Sequence, residues 1–179
     1  MAHTSDYKEL TEAAESVIQN ESIGFIFLHL PVPHPPGIYD RKTGTLGVRG
    51  SYIDNLALAD TTIDALVKAI EKTAAANETT LILSSDHSWR VKLWRTNESR
   101  TAEDGCVSGG EFDPRHFLLV RFPDQIKGEL RTRAFPELGI HGILEAMLKG
   151  EIHSENDLDA WLQDKDATKA PDIARSQSQ

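Results

Sequence analysis

An almost uninterrupted apolar run, Ile23-Gly24-Phe25-Ile26-Phe27-Leu28-His29-Leu30, stops at Pro31, Pro33, Pro35 and Pro36. The run suits a strand covered on both faces. Proline, with no N–H and a fixed φ, forbids its continuation as strand or helix. The chain must turn here in a stiff loop, and that loop carries His29 and His34.

A second run, Thr79-Thr80-Leu81-Ile82-Leu83, ends in Ser84-Ser85-Asp86-His87-Ser88-Trp89-Arg90. It predicts a short buried strand whose C-terminal tip delivers a carboxylate and an imidazole. Between the two runs the period is helical: from Tyr52 to about Ala75, Ile53, Leu56, Ile63, Leu66, Val67 and Ile70 form one stripe, and Ser51-x-x-Asp54 resembles a capping box with a shorter acid. Asp60 falls on that stripe, where a carboxylate must find a hydrogen-bond partner; it is either a structural acid pinning the active-site loop, the favoured reading, or a mild misfit at the helix rim.

Strand, helix and strand over residues 23 to 87 make a β-α-β unit, which predicts parallel strands and a right-handed crossover. The tips of such strands form the crevice where ligands bind in open α/β sheets. His29, His34, Asp86 and His87 are therefore expected on the same sheet edge.

Around this unit, residues 5–20 suit a helix burying Leu10, Ala13, Ala14, Val17 and Ile18, and His116 to Phe122 a further strand stopped by Pro123. Residues 90–115 are polar, glycine-punctuated and long for a plain connection, fit to cover the crevice. A helix around His141 to Lys149 should end at Gly150, and a last one over Asn156 to Gln163 should use Asn156 as its cap. The expected organisation is one domain over residues 1–164 and a disordered tail over 165–179, rich in Lys, Asp, Ala, Ser and Gln.

Composition narrows the partners. A net charge of -9 argues against a general nucleic-acid or anionic-membrane surface and favours small molecules or proteins. A lone cysteine, Cys106, excludes an internal disulfide and a cysteine-based zinc site, and no run approaches the length of a membrane span. The opening residues have neither a basic segment nor an apolar core, so no secretory signal is expected in them, and the compartment is left open.

The order of these features, Phe25 to Pro36, then Tyr52-Ile53-Asp54 with Asp60 further down one helix, then strand-Ser-Asp-His at Thr79 to His87, resembles the sulfatase branch of the alkaline-phosphatase superfamily. The likeness spans about residues 23 to 125. It implies a three-layer α/β/α fold with a mostly parallel sheet, here as a partial alkaline-phosphatase-like domain. It implies Asp86 and His87 as ligands of a divalent metal ion (calcium, manganese or zinc) and His34 as the catalytic imidazole facing the sulfuryl or phosphoryl group or its leaving oxygen. His29 is implied as a supporting hydrogen bonder to substrate, and Arg90 and Lys92 stand where positive charge would meet a tetrahedral anion.

The departures from that pattern are equally informative. The family's early acidic metal ligands and its nucleophile have no counterpart, and Cys106, in Asp104-Gly-Cys-Val-Ser108, lacks the flanking proline and arginine of a nucleophile site. His116 and His141 match no ligand position and are read as histidines outside the chemistry. Two ligands make half a zinc shell and less of a calcium one. The expectation is the C-terminal half of a metal-dependent hydrolase or transferase of sulfate or phosphate esters, inactive and weak in metal binding alone, its exposed apolar surface meeting a missing N-terminal half or a second copy. The competing reading is a non-catalytic remnant or interaction module that retains the fold.

Overall fold

The computed structural model describes residues 2–96, 98–111, 113, 115, 117–123, 125–131 and 139–173. They fall into two compact units divided after Pro123.

In the first unit, α1 (Ala2–Ile18) packs against α2 (Tyr52–Ile70). Their contact includes a buried 2.7 Å hydrogen bond between the Tyr7 and Thr62 hydroxyls, and Tyr7, Ile38 and Leu58 form a core closed by Val32, Tyr39 and Leu46. The buried stripe of α1 holds Tyr7 and Ala14, whereas Leu10 and Ala13, expected inside, face solvent. A tyrosine whose hydroxyl is satisfied by Thr62 displaces leucine from the contact, rotating the helix by part of a turn.

The capping box of α2 forms as the sequence suggests: the Ser51 hydroxyl accepts from Asp54 N–H, and the Asp54 carboxylate accepts from Ser51 N–H. The buried positions of α2, however, are Asn55, Leu58, Thr62, Leu66 and Ala69. Of the expected apolar stripe only Leu66 is fully buried, and Leu56 is exposed. Asp60 is exposed, with no loop partner among the described residues.

A small hairpin, β1 (Tyr39–Asp40) and β2 (Thr45–Leu46), links the proline loop to α2. The chain crosses itself closely there: Gly50 N–H donates to the Gly37 carbonyl, a Cβ on Gly37 would strike Gly50, and one on Gly50 would strike the Tyr39 carbonyl. Only glycine fits at both places.

After α2 come a single 3-10 turn (Ala76–Glu78), β3 (Leu81–Ser84), the short helices α3 (Val91–Trp94) and α4 (Ala102–Val107), and β4 (Leu118–Arg121). Strand β3 pairs antiparallel with β4, Leu81 opposite Arg121 and Ser84 opposite Leu118. The expected mostly parallel sheet is not seen among the described residues, where both sheets are two-stranded and antiparallel. The physical reason lies in the apolar run that was to supply the parallel neighbour. Residues 24–30 form no strand and make no backbone hydrogen bond among the described residues, and Phe25 and Phe27 are 51% and 78% exposed. The 85–117 connection instead turns the chain back along β3, which an antiparallel ladder requires. The fold is α/β, with the strand-like run lying outside any sheet.

In the second unit, α5 (Gly139–Leu148) buries Ile143 and Ala146, and Ile152 is buried in the connection to α6 (Glu155–Ile173). Gly142 lets α5 approach the Trp161 ring, where a Cβ would stand 3.0 Å away. Gly150, at φ 74°, ends α5, and Glu151 N–H reaches back to the Ala146 carbonyl. The cap of α6 is Ser154 rather than Asn156: its hydroxyl accepts from Asp157 N–H, and the Asp157 carboxylate takes His153 N–H. The Ser154 hydroxyl also donates to the Asp157 carboxylate at 2.8 Å, and this bond first, then that from His153 N–H, holds the carboxyl below the usual carboxylate range. Helix α6 continues past Asp164 to Ile173, into the tail expected to lack structure.

Candidate functional site

The first turn of α2 is the hub of the first unit, and five consecutive residues each hold something different. Ser51 and Asp54 close the capping box. Tyr52 stacks on Trp89, ring centroids 4.3 Å apart and planes within 10°. Burial of Tyr52 in this contact pushes its phenol up to about 12. Ile53 N–H donates to the Asp104 carboxylate at 3.1 Å, and Asp54 pairs with Arg41 at 3.2 Å. Asn55, fully buried, donates from Nδ2 toward the carbonyls of Pro33, His34 and Pro36 and accepts the Ile38 N–H at 3.0 Å.

Two loops singled out in the sequence are thereby fastened to one helical turn. Tyr52 holds the segment that follows Asp86 and His87, and Asn55 holds the proline loop with His34. Residues three apart are neighbours on a helix surface, about 5–6 Å between Cβ atoms, so the two anchor points are adjacent.

Within the first loop, Asp86 Oδ1 and His87 Nε2 stand 3.7 Å apart, with Asp86 largely exposed and His87 about one-third exposed. His87 Nδ1 donates to the Ser88 carbonyl at 2.7 Å. In a neutral ring this leaves the lone pair on Nε2, the arrangement by which metal-ligating histidines are oriented. An exposed carboxylate oxygen and an oriented imidazole nitrogen, side by side, fit a divalent cation. They are two donors, and among the described residues no group of three or more His, Cys, Asp or Glu side chains comes together. The indole Nε1 of Trp89 is buried with no acceptor, an unused donor two residues beyond His87.

His34 is exposed and its Nδ1 donates to the Pro35 carbonyl at 2.7 Å, leaving Nε2 as the free ring nitrogen. Arg90 and Lys92 are exposed at the start of α3, without an ion pair among the described residues. His29 is exposed on the unpaired apolar run. His116 lies outside the described residues, and His141 is exposed on α5.

The polar 90–115 connection is tied to the hub. Asp104, 1% exposed, accepts from Thr101 N–H and Oγ1 as the capping box of α4 and simultaneously from Ile53 of α2. Arg41 bridges Asp54 and Glu103, and Glu103 contributes most to raising its pKa further. Cys106 is exposed on α4 itself rather than in a loop.

Sequence reasoning missed Asn55 and Asp104. A signal existed for Asn55: it lies on the stripe of Leu58, Thr62 and Leu66, beside a loop whose prolines leave it short of backbone donors.

With this geometry in place, comparison with known families is decisive. The sulfatase family model matches residues 3–111, more than half of the chain, so the chain belongs to the sulfatase family. Comparisons with curated proteins and with solved structures find no match.

Proposed function

We propose that this chain is the C-terminal part of a metal-dependent, sulfatase-like hydrolase or transferase acting on sulfate or phosphate esters. In this reading Asp86 and His87 hold a divalent cation, calcium, manganese or zinc, which supplies Lewis-acid polarisation of the ester when bound. His34, through its free Nε2, faces the tetrahedral anion or the leaving oxygen, where an imidazole can donate a proton. Arg90 and Lys92 add positive charge near the anion, and His29 supports substrate binding. The observation that carries the reading is the attachment of both loops to the first turn of α2.

The same reading makes the chain incomplete by itself. Among the described residues no third His, Cys, Asp or Glu joins the pair, and two protein donors fall short of the four of zinc or the six or more of calcium. The unpaired run of residues 23–30 is then a strand that enters a larger, mostly parallel sheet when further chain supplies its neighbour.

The test is titration of the chain with Mn2+, followed by broadening of the His87 ring proton resonances. Weak, saturable broadening that disappears in Asp86→Ala is expected, together with no turnover of an aryl sulfate or aryl phosphate by the chain alone. Broadening unchanged in Asp86→Ala removes the metal assignment. Turnover by the chain alone shows a complete site and removes the incompleteness.

A further inference from the structure

Prolines make the loop around His34 poor in donors. In the segment 31–36 only Val32 and His34 carry a backbone N–H, while every residue presents a carbonyl. Carbonyls partly shielded from water need partners, and a turn with only two N–H groups is poorly able to supply them internally. The chain answers with a side-chain amide from outside: Asn55 Nδ2 lies 3.3 Å from the Pro33 carbonyl, 3.1 Å from that of His34 and 3.4 Å from that of Pro36. Its two hydrogens are shared among three acceptors, while Oδ1 takes Ile38 N–H.

One of those carbonyls belongs to His34 itself, and the Pro35 carbonyl, between the anchored His34 and Pro36, receives the imidazole Nδ1–H. The backbone that Asn55 fixes is thus the backbone that fixes the ring. We propose that Asn55 is a positioning residue for His34: by clamping the proline loop to α2 it holds the imidazole as the Nδ1–H tautomer with Nε2 free. The consequence for catalysis rests on the sulfatase-like reading above, whereas the placement of the ring does not.

The experiment reads the ring nitrogens of His34 by 15N NMR at a pH where the imidazole is neutral. Wild type should show mainly the Nδ1–H tautomer. Asn55→Asp, isosteric but without the donors, and Asn55→Ser should each shift the population several-fold toward Nε2–H. Thr62→Val is the control, because it removes a buried hydrogen bond of the same helix two turns away, to Tyr7, and should leave the His34 tautomer unchanged. A wild-type tautomer ratio in both folded Asn55 variants overturns the proposal. So does an equal shift in Thr62→Val, or loss of fold in both Asn55 variants, since each makes Asn55 a stabiliser only. Mn2+ broadening at His87 is recorded on the same samples. Its absence in wild type sinks the metal reading while the tautomer result still decides the role of Asn55.

Discussion

Tyr52 and Trp89 lie face to face at 4.3 Å, joining the first residue of α2 to the loop that carries Asp86 and His87. A contact between residues 37 positions apart does what the strand pairing expected from the sequence does not: it brings the acid-imidazole doublet to the helix that also grips the proline loop. The stack also gives the chain an alkaline signature. The folded phenol titrates at about 12 against an ordinary 10, so between those values the unfolded chain has lost a proton that the folded chain retains. Stability therefore falls as pH rises through that window and is unaffected below it. A shift of this size is worth ~2.7 kcal/mol at full effect, and about 1 after discounting for the exposed part of the ring. Urea denaturation at stepped pH should show this loss in wild type. In Tyr52→Phe, which keeps the stack, the extra loss should be absent, and an identical profile would show that Tyr52 is not the group concerned.

Asn55→Ala should be among the most damaging substitutions in α2. It leaves the buried Ile38 N–H and the partly buried carbonyls of Pro33, His34 and Pro36 without the amide, a cost of about 2–4 kcal/mol from the usual penalty for orphaned groups. Asp60→Ala, by contrast, should stay within about 0.5 kcal/mol, as exposed positions do. Thermal unfolding of the two variants checks the order, and equal midpoints would refute it.

The exposed phenylalanines predict a solution behaviour. Phe27 is 78% exposed, so Phe27→Asp should leave the unfolding midpoint within about 0.5 kcal/mol of wild type. Because a charge on an unpaired strand-like edge blocks pairing with another chain, the same substitution should reduce concentration-dependent association. Sedimentation velocity over a range of concentrations decides it. Unchanged association would place the contact elsewhere.

Calorimetry with Mn2+, Ca2+ or Zn2+ should give weak or unmeasurable heats for the isolated chain, as befits two donors. Tight binding that survives His87→Ala would mean that the ligands are other residues.

Much of this was legible beforehand, and the parts that were not share a cause. The Ser51–Asp54 cap, strands β3 and β4 and the glycine stop of α5 follow from local rules that act within a few residues. The buried face of α2 does not, because Asn55 and Thr62 are polar residues made tolerable inside by partners far away in sequence, Pro33 to Ile38 for one and Tyr7 for the other. Apolar periodicity picked the neighbouring stripe for that reason. Residues 23–30 carry a correct strand composition, but a strand is a relation between two backbones, and composition names only one of them. For the candidate site, the place of Asp86 and His87 just after β3 could be read from the sequence, whereas the devices that hold their loop and that of His34 could not.

Asp104 has a consequence for how the 90–115 connection opens. One carboxylate accepts from the backbone of both α4 and α2, so fraying of α4 takes the acceptor from Ile53 N–H and fraying of α2 takes a donor from Asp104. The segment is therefore no independent flap: amide exchange at Ile53 and at Thr101 should proceed with a common opening free energy, as a single cooperative unit.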